Sequence, residues 1–207
     1  MPEWAIYAVA VVAGYLAGSV PFGLVLVKAA GLGDIREIGS KSIGATNVLR
    51  TGRKDLALAT LLLDSLKAGL VALAFTLIAG REAGMVAGAA AFLGHCYPLW
   101  LKFKGGKGVA TYAGLLLFIT PLHGLVVGAP VWLGMFALTR ISSLSALTAA
   151  ITVPPGAYLL GERSPVILGG LALLSVLVFW THRENLGRLL KGTEPRFGAK
   201  KKDAPEA

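Results

Sequence analysis

Long apolar runs, parted by short segments that carry nearly all the charge, leave this chain few folds to choose from. Residues 4–27, 56–79, 83–101, 109–137, 144–160 and 166–181 are apolar over most of their length. A run of about 20 such residues crosses a bilayer as a helix, because lipid offers no water to an unpaired backbone N–H or C=O. Hydrophobic residues make up 55% of the 207 and charged ones only 15%, too thin a polar shell for a water-soluble core of this size. The expectation is an all-α integral membrane protein, one domain over residues 1–207, with a basic, disordered tail from about residue 195. Met1-Pro2-Glu3 brings no lysine or arginine ahead of the first run, so that run reads as a retained span and not as a cleaved signal.

The run 109–137 decides the topology. Its 29 residues would make a helix of about 43 Å, too long for one crossing of a core of about 30 Å and too short for two full ones. The basic residues settle the parity. If 109–137 crosses once, the basic segments 28–54 and 102–107 lie on one side and the basic tail on the other, against the positive-inside rule. If it crosses twice, as a short helix pair hinged around Pro121, seventeen of the twenty lysines and arginines share one face. These are six in 28–54, three in 102–107, Arg140, and seven from Arg183 onward. The prediction is seven transmembrane helices, N-terminus out and C-terminus cytoplasmic, with two pair members of about thirteen residues each.

Net charge is +9, yet the basic residues lie between apolar runs and not along a soluble face. That pattern favours lipid headgroups and anionic substrates over nucleic acid. One cysteine, Cys96, permits no intramolecular disulfide, and three scattered histidines form no metal-binding pattern, so neither metal nor cofactor is expected.

The predicted topology brings four polar segments to one face. In Lys102-Phe103-Lys104-Gly105-Gly106-Lys107-Gly108, glycines allow close backbone approach, lysines supply point charges, and the next apolar run offers a helix N-terminus. This suits a phosphate dianion; a basic loop that only sets orientation would need the lysines but not the glycines. The spacing is not that of a nucleotide-binding P-loop. Segment 28–54 holds Ser40, Ser42, Thr46, Asn47 and Arg50, either donors for phosphate and hydroxyl oxygens or caps of the local turns. Ser142 and Ser143 follow Arg140 on the same face. In the fourth, His182 and Asn185 share a helical face and Arg188 follows one turn later. Asp64 and Lys67 lie one turn apart inside a span and should pair with each other, and His95 reads as a hydrogen-bonded packing residue.

Together these segments resemble the bacterial membrane family of acyl-phosphate:glycerol-3-phosphate acyltransferases. The resemblance rests on Gly39-Ser40-Lys41-Ser42-Ile43-Gly44-Ala45-Thr46-Asn47-Val48-Leu49-Arg50; on Gly94-His95 through Pro98 with Phe103-Lys104-Gly105-Gly106-Lys107-Gly108-Val109-Ala110-Thr111; and on His182, Asn185, Arg188, Gly192 and Glu194. Ser42 departs from the asparagine usual in the family. The resemblance implies seven spans, a site at the cytoplasmic side of the bacterial inner membrane, and acyl transfer from acyl-phosphate to glycerol-3-phosphate. It implies catalytic roles for Ser40 and Arg50, glycerol-3-phosphate binding by the glycine-lysine loop, and a place in the site for His182, Asn185 and Glu194. None of the three histidines has aspartate five residues on, so the His-x-x-x-x-Asp pattern of the other acyltransferase family is absent. The chain offers no evident nucleophile–base triad, which points to direct transfer. Lys104, Lys107 and the loop amides would hold one substrate, Ser40 and Arg50 the other, and His182 or the donor phosphate would take the proton. A monomer is expected. The competing class is a transporter for phosphate-bearing anions, but that would place its polar groups near the midplane, often within a repeat.

Overall fold

A backbone in lipid must satisfy itself, and every expected run is helical in the computed structural model, which describes residues 2–198. Among these residues there is no β-strand. The first run is two helices, α1 (Glu3–Gly18) and α2 (Phe22–Ala29), because Pro21 cannot continue the hydrogen-bond ladder. The break frees carbonyls. Ser19 O accepts from Trp100 Nε1 and Val20 O from Lys67 Nζ, both at 2.7 Å. The following polar segment holds the four-residue α3 (Ala45–Val48). α4 (Lys54–Ala79) and α5 (Arg81–Cys96) meet at Gly80, whose φ of 91° permits the sharp return.

Without a hydrophobic drive between helices in lipid, small residues let them approach. Gly14 and Gly18 of α1 lie so close to Ala87 and Ala91 of α5 that a Cβ on either glycine would overlap the facing backbone. Bulky side chains turn outward instead, among them Leu58, Leu62, Leu77, Leu133 and Leu138. The densest interior lies where Phe92, Tyr112, Leu115, Val153, Leu171 and Leu174 pack together.

The run 109–137 folds as α6 (Val109–Ile119), then α7 (Pro121–His123), a π-helical turn (Gly124–Gly128) and α8 (Ala129–Thr139). The residue before a proline is pushed out of the α region, and Thr120 sits at φ −135°, ψ 60°. Leu116 packs on both Gly124 and Gly128, so the chain doubles back at Thr120–Pro121. The run breaks where predicted, but the two arms are unequal: 11 residues in α6, short of a candidate span, against 19 in Pro121–Thr139. Only Thr120 breaks the helix; the π turn before Pro130 widens the ladder where that proline's N–H is missing and lets the second arm run on.

α9 (Ser142–Leu159) and α10 (Pro165–Thr181) complete the bundle, and α11 (Arg183–Leu190) leaves α10 at 63°. Glu3–Ala29, Lys54–Ala79, Arg81–Leu101 and Pro121–Thr139 are long and apolar enough to cross a membrane, and the bent pair of α10 and α11 makes a fifth candidate. At one end Arg81 pairs with Glu162 at 2.5 Å, and Ser164 donates to Glu82. The four polar segments meet at the other. The start of the predicted disordered tail is anchored: Phe197 donates its N–H to Arg140 O at 2.7 Å and its ring tilts against Phe136. Residues 199–207 lie outside the described residues.

Candidate active site

Between α2 and α4 the chain is a loop whose carbonyls need donors, and Asn47 supplies them. Its buried amide nitrogen donates to Ile35 O, Ser42 O and Ile38 O at 2.8–3.2 Å, and its Oδ1 accepts the Ser40 N–H at 3.0 Å. Expected to contact substrate, Asn47 is instead occupied within the loop and holds Ser40 in position. Gly39, at φ 56°, lets Arg50 lie across it: a Cβ there would meet the Arg50 guanidinium and Asn47 Oδ1. Ser40 and Arg50 are thus neighbours. Ser42 Oγ accepts the Gly44 N–H and serves its own turn. Thr46 Oγ1 faces Ser142 Oγ at 3.5 Å, which joins this loop to the start of α9.

The glycine-lysine loop folds back over the C-terminal end of α5, where helix carbonyls lack partners. Gly105 donates to Cys96 O and Gly106 to His95 O, at 3.1 and 3.0 Å. These two amides were expected to bind phosphate; the structure commits them to protein carbonyls. The glycines are needed for closeness. A Cβ at Gly106 would occupy the His95 imidazole, and one at Gly108 the Phe92 ring. The Lys107 and Gly108 amides have no protein acceptor among the described residues, and Lys104 is exposed beside them. They stand at the N-terminus of α6, where the helix favours an anion.

Lys107 reaches across to the last segment, its Nζ donating to Asn185 Oδ1 at 2.5 Å. Burial holds this ammonium below the usual lysine range. Thr181 Oγ1 donates to Lys107 O, a tie that sequence reading missed; its place beside His182 is the one signal that marked it. Asn185 donates in turn to Glu194 Oε1 at 2.5 Å. The same carboxylate accepts from Ser143 Oγ at 2.6 Å and Arg188 Nε at 2.7 Å. Burial raises the Glu194 pKa, but these hydrogen bonds and the Arg188 charge outweigh it and hold the group below the ordinary range.

His182 sits at the joint of α10 and α11, buried. Its Nδ1 lies 2.8 Å from Val178 O, and a carbonyl only accepts, so the ring hydrogen is on Nδ1 and Nε2 keeps its lone pair. Burial, helped by the Lys107 charge, pushes its pKa down to about 4. The site therefore collects Arg50, Lys104, Lys107 and Arg188 around the carboxylate of Glu194, with Glu184 also near enough to act on Lys107. Such an excess of cations on a helix N-terminus fits phosphate groups.

Comparison with known proteins gives the family. The family model described as glycerol-3-phosphate acyltransferase matches residues 8–192. The chain belongs to this family. The glycerol-3-phosphate acyltransferase of Hyphomonas neptunium is 85% identical over 207 residues, covering all of both chains. Two solved structures of PlsY, an integral membrane glycerol 3-phosphate acyltransferase, share the fold. The glycerol 3-phosphate form matches with a TM-score of 0.87 and 38% identity, over 93% of this chain and 96% of that one. The lysophosphatidic acid form matches with a TM-score of 0.86 and 36% identity, over 93% and 95%. Like its family, this chain is an integral membrane acyltransferase of phospholipid synthesis.

Proposed function

We propose that this protein transfers a fatty acyl group from acyl-phosphate to the 1-hydroxyl of glycerol-3-phosphate, at the cytoplasmic face of the bacterial inner membrane. It does so with seven spans, its N-terminus outside. The observation that carries the reading is the network from Lys107 through Asn185 to Glu194, Ser143 and Arg188, set beside His182 and the glycine-lysine loop. It joins three of the four polar segments around one excess of positive charge, and Thr46 and Ser142 bring in the fourth.

In this reading Lys104, Lys107 and the Lys107 and Gly108 amides hold the phosphate of glycerol-3-phosphate. Arg50 and Ser40 hold the acyl-phosphate and the oxyanion that develops on its carbonyl. The acceptor hydroxyl oxygen attacks the carbonyl carbon, the carbon–oxygen bond to phosphate breaks, and phosphate leaves with the electron pair. The products are 1-acyl-glycerol-3-phosphate and phosphate. The hydroxyl proton passes to the leaving phosphate, which gains negative charge as the carbon–oxygen bond breaks and is then a stronger base than a histidine whose basicity burial lowers. His182 orients the hydroxyl through Nε2.

Direct transfer is supported by what surrounds the candidate nucleophiles. Among the described residues no histidine hydrogen-bonds Ser40, and Cys96 is buried beneath the loop. The test is purified protein given glycerol-3-phosphate with acyl-phosphate, acyl-coenzyme A or acyl carrier protein. Lysophosphatidic acid formed from acyl-phosphate alone is expected. Phosphate release without lipid product would point to a transporter or a hydrolase and would defeat the proposal.

A further inference from the structure

Beneath the glycine-lysine loop lies a charged cluster that the proposed reaction does not use. Lys67 of α4 is 8% exposed and its ammonium has three hydrogens and three acceptors: Asp64 Oδ1 at 2.7 Å, Val20 O at 2.7 Å and His95 Nδ1 at 3.0 Å. An ammonium only donates, so His95 Nδ1 accepts and the ring hydrogen sits on Nε2. That Nε2 edge lies directly under Gly106, in the space a Cβ there would fill. Phe22, just past the break in the first run, places its ring 5.7 Å from the same ammonium.

Such a cluster is a poor device for stability. Charges inside a span are costly, and a buried ion pair commonly contributes no more than apolar groups of the same shape. What it supplies is direction. Lys67 ties α4 to α5 through His95 and to the α1–α2 break through Val20, in the layer the loop rests on. The loop is pinned to the same residue a second time, because Gly106 donates to His95 O. We infer that Lys67, Asp64 and His95 are positioning residues: they fix the height and orientation of the glycine-lysine loop, and so set the affinity for the phosphate of the acceptor without touching either substrate.

This inference rests on the proposed function, and its test separates the two. Asp64→Asn/Lys67→Met removes both charges together and leaves neither unpaired. His95→Asn keeps an acceptor where Nδ1 stood but withdraws the ring edge from under Gly106. Each purified protein is assayed for KM and kcat with both substrates, and for thermal protection by glycerol-3-phosphate alone. Both variants are expected to raise KM for glycerol-3-phosphate about tenfold or more, with kcat within about threefold and KM for acyl-phosphate within about twofold. Protection by glycerol-3-phosphate should weaken in parallel. If the variants keep the wild-type KM and protection, or lose activity only in step with the folded fraction, the cluster is merely structural and the inference is overturned. Loss of the folded state in both has the same meaning; if only the double variant is lost, His95→Asn decides. Should the wild type itself make no lysophosphatidic acid from acyl-phosphate, it is the proposed function that fails.

Discussion

Replacing Glu194 by glutamine changes one atom in the network and leaves its shape. Oε1 accepts from Ser143 and Asn185, and Oε2 accepts from Arg188. An amide nitrogen put at Oε2 faces the Arg188 N–H; put at Oε1 it faces the Asn185 amide, which cannot turn over while its Oδ1 accepts from Lys107. Either way one donor meets another. The Arg188 side chain is 36% exposed, so screening limits its lost ion pair to about 1 kcal/mol. The mismatched donor costs about 1–2 kcal/mol more, giving roughly 2–3 kcal/mol in all. For a chain of this size that lowers the melting temperature by roughly 4–12 °C. Differential scanning fluorimetry in detergent reads it. The acid limb gives a second readout. The folded pKa of Glu194 lies below its ordinary value near 4.3, so its stabilisation is complete above that pH and is lost as pH falls through the folded value. Glu194→Gln cannot titrate and should flatten that limb. A variant melting within about 1 °C of the wild type, with the same acid limb, would refute the network as described.

Lys104→Ala should raise KM for glycerol-3-phosphate roughly tenfold or more, since a charge-assisted phosphate contact contributes about 1.5–3 kcal/mol; an unchanged KM with reduced kcat contradicts the assignment. His182→Ala should lower the rate and keep the shape of the pH–rate profile, whereas a limb that disappears would make His182 the base. Leu122 is exposed just past the Thr120–Pro121 break. In a Cys96→Ala background, Leu122→Cys should react with an impermeant thiol reagent from the outer side; labelling only from the cytoplasmic side would overturn the two-arm hairpin and the seven-span count.

The legible parts of this chain are those fixed by short-range chemistry. Pro121 marks a break because a missing N–H acts locally, and His182 with Asn185 face one way because three residues nearly complete a helical turn. The parity of the basic segments also anticipated that 102–108, 139–143 and 182–194 would share one end of the bundle, though not that Ser143 would meet Glu194 there. What stayed hidden depends on partners distant in the chain. Nothing near Asn47 announces that its amide bonds the backbone of residues 35–42, nor that Lys107 ends on Asn185. Gly105 and Gly106 read as phosphate donors because their sequence is permissive, yet it is the frayed carbonyl end of α5 that claims their amides. Lys67 was expected to pair with Asp64 and does, but Val20 and His95 become visible only once three helices are packed.

The account centres on direct transfer, and a rapid-quench measurement of phosphate addresses it. Enzyme mixed with excess acyl-phosphate and no acceptor should release no burst of phosphate; on adding glycerol-3-phosphate, phosphate and lysophosphatidic acid should appear together in equal amounts. A burst of one phosphate per enzyme before the acceptor is added, with the acyl group recovered on Ser40 or Cys96, would contradict it.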